Sequence, residues 1–283
     1  MGPTAGRRKL ASELRRRRDT AQLTVKQAAA VLGCSVQKIG HLERGENVIK
    51  KAELAALLDA YGADPGDRAI LEEIRVQASK RGWWVTYRLP DWAQPLIGLE
   101  SDASREQTYE LELIPGLLQT EDYARAVYGA GRHLVPPEQI DQQIAARLRR
   151  QDRLTGDGAL ELVAVVSEGA LRRVVGGPAS MAEQLGHVLE VSKAPNVKLQ
   201  VLPFAAGQNG AMSGPVTILS FPDLDAPDIG YLEHSLGGQV IEDTDAVASL
   251  TTLFDDLRDR ALSSRDSARL IEQVRKEHGH AAH

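Results

Sequence analysis

The chain contains little cysteine and few aromatic side chains. Its 283 residues include one Cys, three Trp, three Phe and six Tyr. The single Cys34 cannot form an internal disulfide, which suits a reducing cytoplasm. No apolar run approaches the roughly 18 residues that a membrane span needs. The first nine residues lack the apolar core of a secretory signal. We therefore expect a cytoplasmic protein with no membrane partner.

The net charge of −5 argues, taken alone, against a nucleic-acid partner. The charge is unevenly divided, however, because residues 1–65 carry +5 and residues 66–283 carry −10. Such an asymmetry points to nucleic acid or another anionic surface. A solvated charged face explains a basic run equally well, so the charge needs support from a motif.

Glycine and proline cluster at residues 61–67, where a helical pattern stops. We predict a head domain over 1–65, a helical linker with a tryptophan cluster over 66–108, and a regulatory or dimerisation domain over 109–283. No internal repeat or low-complexity segment is present.

Four short helices are predicted in the head, at about 7–19, 25–32, 36–44 and 51–60. Thr24 and Ser35 are good N-caps for the second and third helices. Gly33 between them suits a left-handed corner. Ala29 permits close approach, and Ile39 and Leu42 fill a shared core, as two crossed helices require.

This spacing leaves an exposed stripe on the third helix. Gln37, His41 and Arg44 follow one another at i, i+4 and i+7, and Lys38 lies beside them. Gln pairs with adenine, and Lys or Arg with guanine, on major-groove edges. Thr24 and the start of the second helix are placed to hold a phosphate. A surface histidine without any contact is the alternative for His41, and the basic run at 15–18 serves either phosphate steering or solvation.

Residues 23–46, ending in Leu-Glu-Arg-Gly, resemble the Cro/C1-repressor (Xre) type of helix-turn-helix. The resemblance implies a five-helix head that acts as a homodimer on a palindromic site in double-stranded DNA. It places Gln37, Lys38 and His41 at base-reading positions, and Thr24 and Arg44 at the DNA backbone. Gly40 departs from the pattern, at a cost of about 1 kcal/mol of helix stability. The complete predicted DNA-binding set is Thr24, Lys26, Gln27, Ser35, Gln37, Lys38, His41 and Arg44.

The whole chain is predicted to be α+β, with an N-terminal all-α helix-turn-helix domain followed by a larger C-terminal α/β domain with a mixed five-stranded sheet. Strands are expected at about 109–113, 160–166, 197–203, 216–221 and 229–233. Helices are expected at about 68–80, 120–128, 137–154, 178–192, 244–261 and 264–277. Gly237-Gly238 is predicted to be a turn.

The larger domain offers no recognisable catalytic set. It contains no metal-binding histidine pair, no Gly-x-Ser-x-Gly elbow and no phosphate-binding loop. The three histidines His133, His187 and His234 are isolated, and the tail with His278, His280 and His283 is predicted to be disordered. Glu168 and Glu233 each follow a strand, so a hydrolase would need them to converge. We predict no enzyme, no metal and no cofactor.

All three tryptophans fall within ten residues, together with one tyrosine. Their concentration indicates a pocket wall or a hinge contact, and domain packing is an equal alternative. The candidate ligand or partner site comprises Trp83, Trp84, Tyr87, Trp92, Gln208 and Asn209.

A second resemblance rests on residues 114–126, which begin Ile-Pro-Gly-Leu-Leu-Gln-Thr, with support from 146–151, 168–173, 201–207 and 261–263. These segments resemble actinobacterial helix-turn-helix regulators with a C-terminal domain of unknown function, the Scr1/WhiJ-like, antitoxin-like regulators. That family implies a transcription regulator whose activity is modulated by a small protein encoded by an adjacent gene. A regulator that senses a small ligand is the alternative.

Overall fold

A computed structural model describes residues 2–130, 136–222, 226–234 and 236–282. His133 and His283 lie outside the described residues. The chain forms two compact units, Met1–Trp83 and Trp84–His283, which we call the head unit and the body unit.

The head unit consists of helices that share one core. They are α1 (Pro3–Thr20), α2 (Val25–Leu32), α3 (Val36–Glu43), α4 (Lys51–Ala60) and α5 (Pro65–Ala78). The predicted helices at 25–32, 36–44 and 51–60 agree with α2, α3 and α4 to within one residue. The head predicted from sequence stopped at 65, and the compact unit continues through α5, because Leu71, Ile74 and Ala78 are buried in the same core as the other helices.

The body unit combines a sheet with seven α-helices within the described residues. These are α6 (Ala93–Asp102), β1 (Arg105–Glu110), α7 (Glu121–Ala130), α8 (Pro137–Arg150), β2 (Glu161–Ser167), α9 (Glu168–Arg172), α10 (Pro178–Val191), β3 (Val197–Leu202), β4 (Val216–Ser220), β5 (Ile229–His234), β6 (Gly237–Ile241), α11 (Thr244–Arg260) and α12 (Ser264–Ala281). The strand order is β3-β2-β1-β4-β5-β6. β1, β2 and β3 run parallel, and β4, β5 and β6 are antiparallel to their neighbours.

The α+β class and the mixed sheet are confirmed, but the prediction of five strands is wrong because the sheet has six. Gly237 and Gly238, predicted as a turn, begin the edge strand β6 and pair with His234 and Glu233. The ring of Tyr231 occupies the space that a side chain at Gly238 would need. The glycine therefore marks a close approach within the sheet, which is a common use of glycine in strands.

The first strand lies earlier than predicted, at Arg105–Glu110 instead of 109–113. Its residues are mostly polar, so the strand lacks the alternation of apolar and polar residues that usually predicts a strand. The sheet nevertheless buries both of its faces. On one face Tyr109 packs with Val165 and Ile218 against Phe254 and Leu257 of α11.

The opposite face of β1 is polar, and arginines of α8 lie close to its carboxylates. Glu106, Thr108 and Glu110 alternate with Tyr109 along the strand, so they point away from α11. Arg150 binds the carboxylate of Glu100 with Nε at 3.0 Å from Oε1 and Nη2 at 2.5 Å from Oε2. Glu100 is 1% exposed, so this ion pair is fully enclosed. The charged layer is confined to the region of β1, because the neighbouring strand β2 presents the buried apolar residues Leu162, Ala164 and Val166 on the same face.

Two buried amides hold the Pro-Gly-Leu-Leu-Gln-Thr loop after β1. Gln184 donates from Nε2 to the carbonyl of Leu118 at 2.7 Å and accepts from the amide of Thr120 at 2.7 Å. Gln119 donates to the carbonyl of Ile114 at 2.7 Å. A Cβ atom at Gly116 would lie 3.3 Å from Arg150. The loop sequence is therefore determined by packing against the charged layer.

The prediction of a disordered tail is wrong for the described residues. α12 continues to Ala281, and His278 is 8% exposed. Its Nε2 atom lies 2.9 Å from the carbonyl oxygen of Leu171, which ties α12 to α9. The buried positions Ile271, Val274 and His278 follow helical spacing, so the buried side of α12 continues beyond its last aliphatic residue.

The buried Glu106 makes the stability of the body unit depend on pH. Burial raises the pKa of Glu106 to about 8, with Glu100 adding to the rise and Arg150 opposing it. The unfolded chain releases this proton near the ordinary value of 4.5. The folded state therefore binds more protons between these values, so this contribution to stability is complete below about pH 4.5 and is lost as the pH rises through about 8.

We predict that Glu106→Gln reduces this decline by up to about 1.4 kcal/mol per pH unit, since the neutral amide cannot ionise. Hydrogen exchange of the β1 and β2 amides at several pH values measures it. Glu112→Gln, at an exposed position, is the control and should leave the decline unchanged. An identical pH profile for wild type and Glu106→Gln contradicts the prediction.

Candidate nucleic-acid interface

The entry to α2 is fixed by a reciprocal cap. The amide of Gln27 donates to Oγ1 of Thr24 at 3.2 Å, and the amide of Thr24 donates to Oε1 of Gln27 at 2.9 Å. Such a capping box satisfies amide groups that the first helical turn leaves open. Both side chains face solvent at the end of the helix.

The corner between α2 and α3 is equally determined by local sequence. Gly33 has φ +59°, in the left-handed region that favours glycine. The amide of Cys34 donates to the carbonyl of Ala29 at 3.0 Å, which closes α2. Ser35 then caps α3 by accepting from the amide of Lys38 at 3.2 Å. The predicted helix-turn-helix corner is confirmed.

The Leu-Glu-Arg-Gly motif has a separate physical role for each residue. Leu42 is buried in the head core, and Glu43 forms an ion pair with α1 that is described below. Arg44 is exposed. Gly45 has φ +72°, and a Cβ atom there would lie 3.4 Å from the carbonyl oxygen of Arg7. The motif therefore ends α3 directly against α1.

A bidentate ion pair joins α1 to the last turn of α3. Arg18 donates from Nε to Oε1 of Glu43 at 2.6 Å and from Nη2 to Oε2 at 2.9 Å. Nη1 also donates to the carbonyl of Leu23 at 2.9 Å. Both ionic side chains are only 9% exposed. The hydrogen bond to Glu43 raises the pKa of Arg18 above its ordinary value, so the guanidinium stays charged.

The basic run at 15–18 is divided between exposed arginines and arginines that are largely enclosed in the head unit. Arg18 is buried against Glu43. Arg17 lies 2.5 Å from a carboxylate oxygen of Asp67 in α5, and Arg16 lies 2.7 Å from Glu13. Arg15 is 70% exposed and lies 4.0 Å from Asp19. Much of this charge is neutralised inside the head unit.

The predicted DNA-binding residues share one exposed region around the start of α2 and the outer side of α3. Most of them face solvent, namely Thr24, Lys26, Gln27, Ser35, Gln37 and Arg44. Lys38 and His41 are half-buried. The side chain of Gln37 makes no hydrogen bond to any other described residue.

Two glutamates that sequence reasoning missed restrain the cations of α3. Glu46 lies 2.6 Å from Nδ1 of His41 and 2.6 Å from Nε of Arg44. Glu53 lies 2.5 Å from Nζ of Lys38 and also accepts from the amide of Lys50 at the start of α4. The position of Glu53, three residues after the N-cap, is the sequence signal that could have revealed it.

Gly40 gives Arg44 room to fold back along α3. A Cβ atom at this position would lie 3.0 Å from Nη1 of Arg44. The glycine thus accommodates the arginine in the same conformation that Glu46 holds. This contact supplies a structural reason for the departure from the expected helix pattern.

The predicted ligand or partner residues are not brought together in the body unit. Trp84 is buried, and Tyr87 is half-buried. The backbone carbonyl of Trp92 accepts a hydrogen bond from the hydroxyl of Tyr231 at 3.3 Å, on the polar face of the sheet. Asn209 lies near Tyr109 on the α11 face, and the carbonyl of Gln208 accepts from Arg260 of α11. Trp83 belongs to the head unit.

The fold and this exposed recognition helix define a DNA-binding regulator of the helix-turn-helix class. Residues 9–71 match a helix-turn-helix domain, and residues 93–273 match a domain of unknown function (DUF5753). Because the second match covers well over half of the chain, the protein belongs to the DUF5753 family. No curated protein and no solved structure matches the chain. None of the helices in the described residues is both long and apolar enough to span a membrane.

We predict that Glu43→Gln destabilises the head unit by about 3 kcal/mol, because the buried Arg18 guanidinium loses its bidentate counter-charge and keeps only the exposed carboxylate of Asp19. Hydrogen exchange of α3 amides in the full chain measures the loss. The double variant Arg18→Met with Glu43→Leu should recover much of the stability, since two apolar side chains replace the pair. Arg15→Met, at an exposed site, is the control. Unchanged protection in Glu43→Gln would exclude a structural role for the pair.

Proposed function

We propose that this protein is a dimeric, sequence-specific transcriptional regulator that binds a palindromic operator in double-stranded DNA. The outer face of α3 enters the major groove, and Gln37 reads base edges there. The body unit dimerises and receives the controlling signal, and it performs no catalytic step.

The observation that carries the proposal is the combination of a rigid α3 with an exposed and unbonded Gln37. A side chain that reads bases must reach the groove without first breaking a bond to its own protein. The Arg18–Glu43 pair and the Gly33 corner fix the helix that carries it. Side chains held on a fixed element recognise bases by direct hydrogen bonds.

Contacts to the DNA phosphate backbone are assigned to the start of α2. The capped N-terminus with Thr24, Lys26 and Gln27 offers amide groups and one cation to a phosphate. Ser35 begins α3 in the same region. These contacts set affinity and register, while Gln37, Lys38 and His41 set sequence preference.

Dimerisation is proposed because α3 is short, with eight residues. Such a helix contacts only a few base pairs, and two half-sites add their binding energies. A palindromic operator follows from the two-fold symmetry of a dimer.

Control by a small partner protein is proposed from the resemblance to Scr1/WhiJ-like, antitoxin-like regulators of actinobacteria. Control by a small ligand is the second candidate function. It is favoured by the buried polar layer of the body unit, where several groups have no partner among the described residues.

We predict that Gln37→Ala lowers the preference for the cognate operator by about 1–3 kcal/mol while leaving binding to unrelated DNA nearly unchanged. Arg44→Ala should weaken binding to both kinds of DNA. Titration of full-length protein with operator and scrambled duplexes at fixed salt measures both effects.

Arg15→Ala removes the same charge as Arg44→Ala from an exposed site on α1 and serves as its matched control. Operator sequences come from selection of bound duplexes out of random DNA, with and without the product of an adjacent gene. Equal operator preference in wild type and Gln37→Ala would refute base reading by this residue.

Glu46 binds His41 and Arg44 when DNA is absent. The hydrogen bond to Arg44 lowers the pKa of Glu46, so this carboxylate is ionised at neutral pH. A phosphate must displace it or bind beside it. Glu46→Gln should therefore tighten DNA binding several-fold, most clearly at low salt.

Glu13→Gln makes the same change of charge on α1 and controls for the general loss of repulsion. An equal gain of affinity in both variants would show that Glu46 acts only through net charge. No gain in Glu46→Gln would show that its ion pairs do not compete with DNA.

A further inference from the structure

The polar face of the sheet ends in two carboxylates that stand on the same side. Tyr109 pairs with Val216, and Thr217 pairs with Tyr231. Continuing both registers beyond these last pairs places Glu110 and Glu233 on either side of Pro215, the residue before β4. Neighbouring strands are about 4.8 Å apart, so the two backbones are about 10 Å apart. Long carboxylate side chains can converge from that separation on one bound group.

The helix α8 brings nitrogen donors to the same region. Gln143, Arg147 and Arg150 are spaced i, i+4 and i+7, so they share one side of the helix. Arg150 is committed to Glu100. Arg147 donates to Gln119 at 2.5 Å and has its guanidinium 4.7 Å from the ring centre of Tyr128. Nε of Arg147 and Nε2 of Gln143 nevertheless have no partner among the described residues, so these two atoms remain for a further group.

Three buried atoms in this layer have no hydrogen-bond partner among the described residues. They are Oε2 of Glu106, Nε2 of Gln143 and Nε of Arg147. Glu106 is 5% exposed and Gln143 is 3% exposed. A buried polar atom without a partner is costly, and water or a ligand normally satisfies it. The two nitrogen atoms are donors, so a group that accepts hydrogen bonds would satisfy them.

The charges in the layer do not balance. Four carboxylates (Glu100, Glu106, Glu110 and, at the exposed end of β5, Glu233) lie near two guanidinium groups (Arg147 and Arg150). Burial raises the pKa of Glu110 to about 8, with Glu233 adding to the rise and Arg147 opposing it. Without a further cation, protons compensate the excess negative charge at neutral pH. An incoming cation can replace those protons.

We propose that Glu110 and Glu233, together with Arg147 and Gln143, form a binding site for a small amino acid or a similar zwitterion. The ammonium group of the ligand lies between Glu110 and Glu233. Its carboxylate accepts from Arg147 and Gln143. This proposal deepens the second candidate function, ligand sensing by the body unit, and it does not depend on DNA binding by the head unit.

An organic cation fits better than a metal ion. No cluster of three or more histidine, cysteine, aspartate or glutamate side chains in the described parts of the chain is arranged to hold a metal. The nitrogen donors of Arg147 and Gln143 would also repel a metal ion, whereas they complement a carboxylate.

The test is calorimetric titration of the full-length protein, without DNA, with each of the twenty free amino acids at millimolar concentration. Ethylammonium and acetate are the probes that carry only one of the two groups. We expect at least one amino acid to bind, with both single-group probes much weaker. Binding should release protons, so the measured heat should differ between buffers of different ionisation enthalpy.

Glu110→Gln should weaken the binding about tenfold or more. Glu112→Gln, two residues further along the chain, is the matched control because Glu112 is half exposed and pairs with Arg173. It should bind like wild type.

Two results overturn the proposal. The first is that no amino acid binds, in which case water alone satisfies the buried atoms. The second is equal binding by wild type and Glu110→Gln, which places the ligand elsewhere. Operator binding by the same samples is measured separately, so a failure of the site and a failure of the regulator assignment remain distinguishable.

Discussion

The ion pair between Arg18 and Glu43 determines the geometry of the DNA-binding head. Both partners are nearly buried, so neither charge can turn to solvent without repacking the helices. The pair joins the end of α1 to the end of α3, and the carbonyl of Leu23 extends this link to the entry of α2. The orientation of the recognition helix follows from this one contact, together with the Gly33 and Gly45 corners. A buried charge pair contributes little net stability compared with apolar packing, but it restricts the arrangements in which both charges are satisfied.

The body unit uses the same device on a larger scale. Arg150 and Glu100 lie beneath the sheet, where most α/β proteins place aliphatic side chains. The loop that follows β1 is shaped around these charges, since Gly116 lies against Arg150 and Gln119 binds Arg147. Contacts with these polar side chains therefore explain the residues of the loop without any catalytic role.

The local elements of the head were predictable because short-range rules determine them. Thr24, Gly33 and Ser35 occupy positions where a cap or a left-handed residue has few substitutes. The strand β1 and the edge strand β6 were not predictable in the same way. Glu106 resembles part of an exposed segment until Arg150 of α8 brings a positive charge close to it. Gly237-Gly238 resembles a turn until Tyr231 covers it. The pairing of Arg18 with Glu43 is likewise invisible in sequence, because 25 residues separate the two.

The double role of Glu53 has a consequence for the evolution of operator preference. Its carboxylate holds the amide that begins α4 and also the ammonium group of Lys38. A substitution at Lys38 therefore alters the start of another helix as well as the DNA-facing side. The side chain of Gln37 makes no such contact with another described residue. In the proposed DNA complex, new target sequences are therefore more accessible through changes at Gln37 than through changes at Lys38, whose ammonium group Glu53 binds.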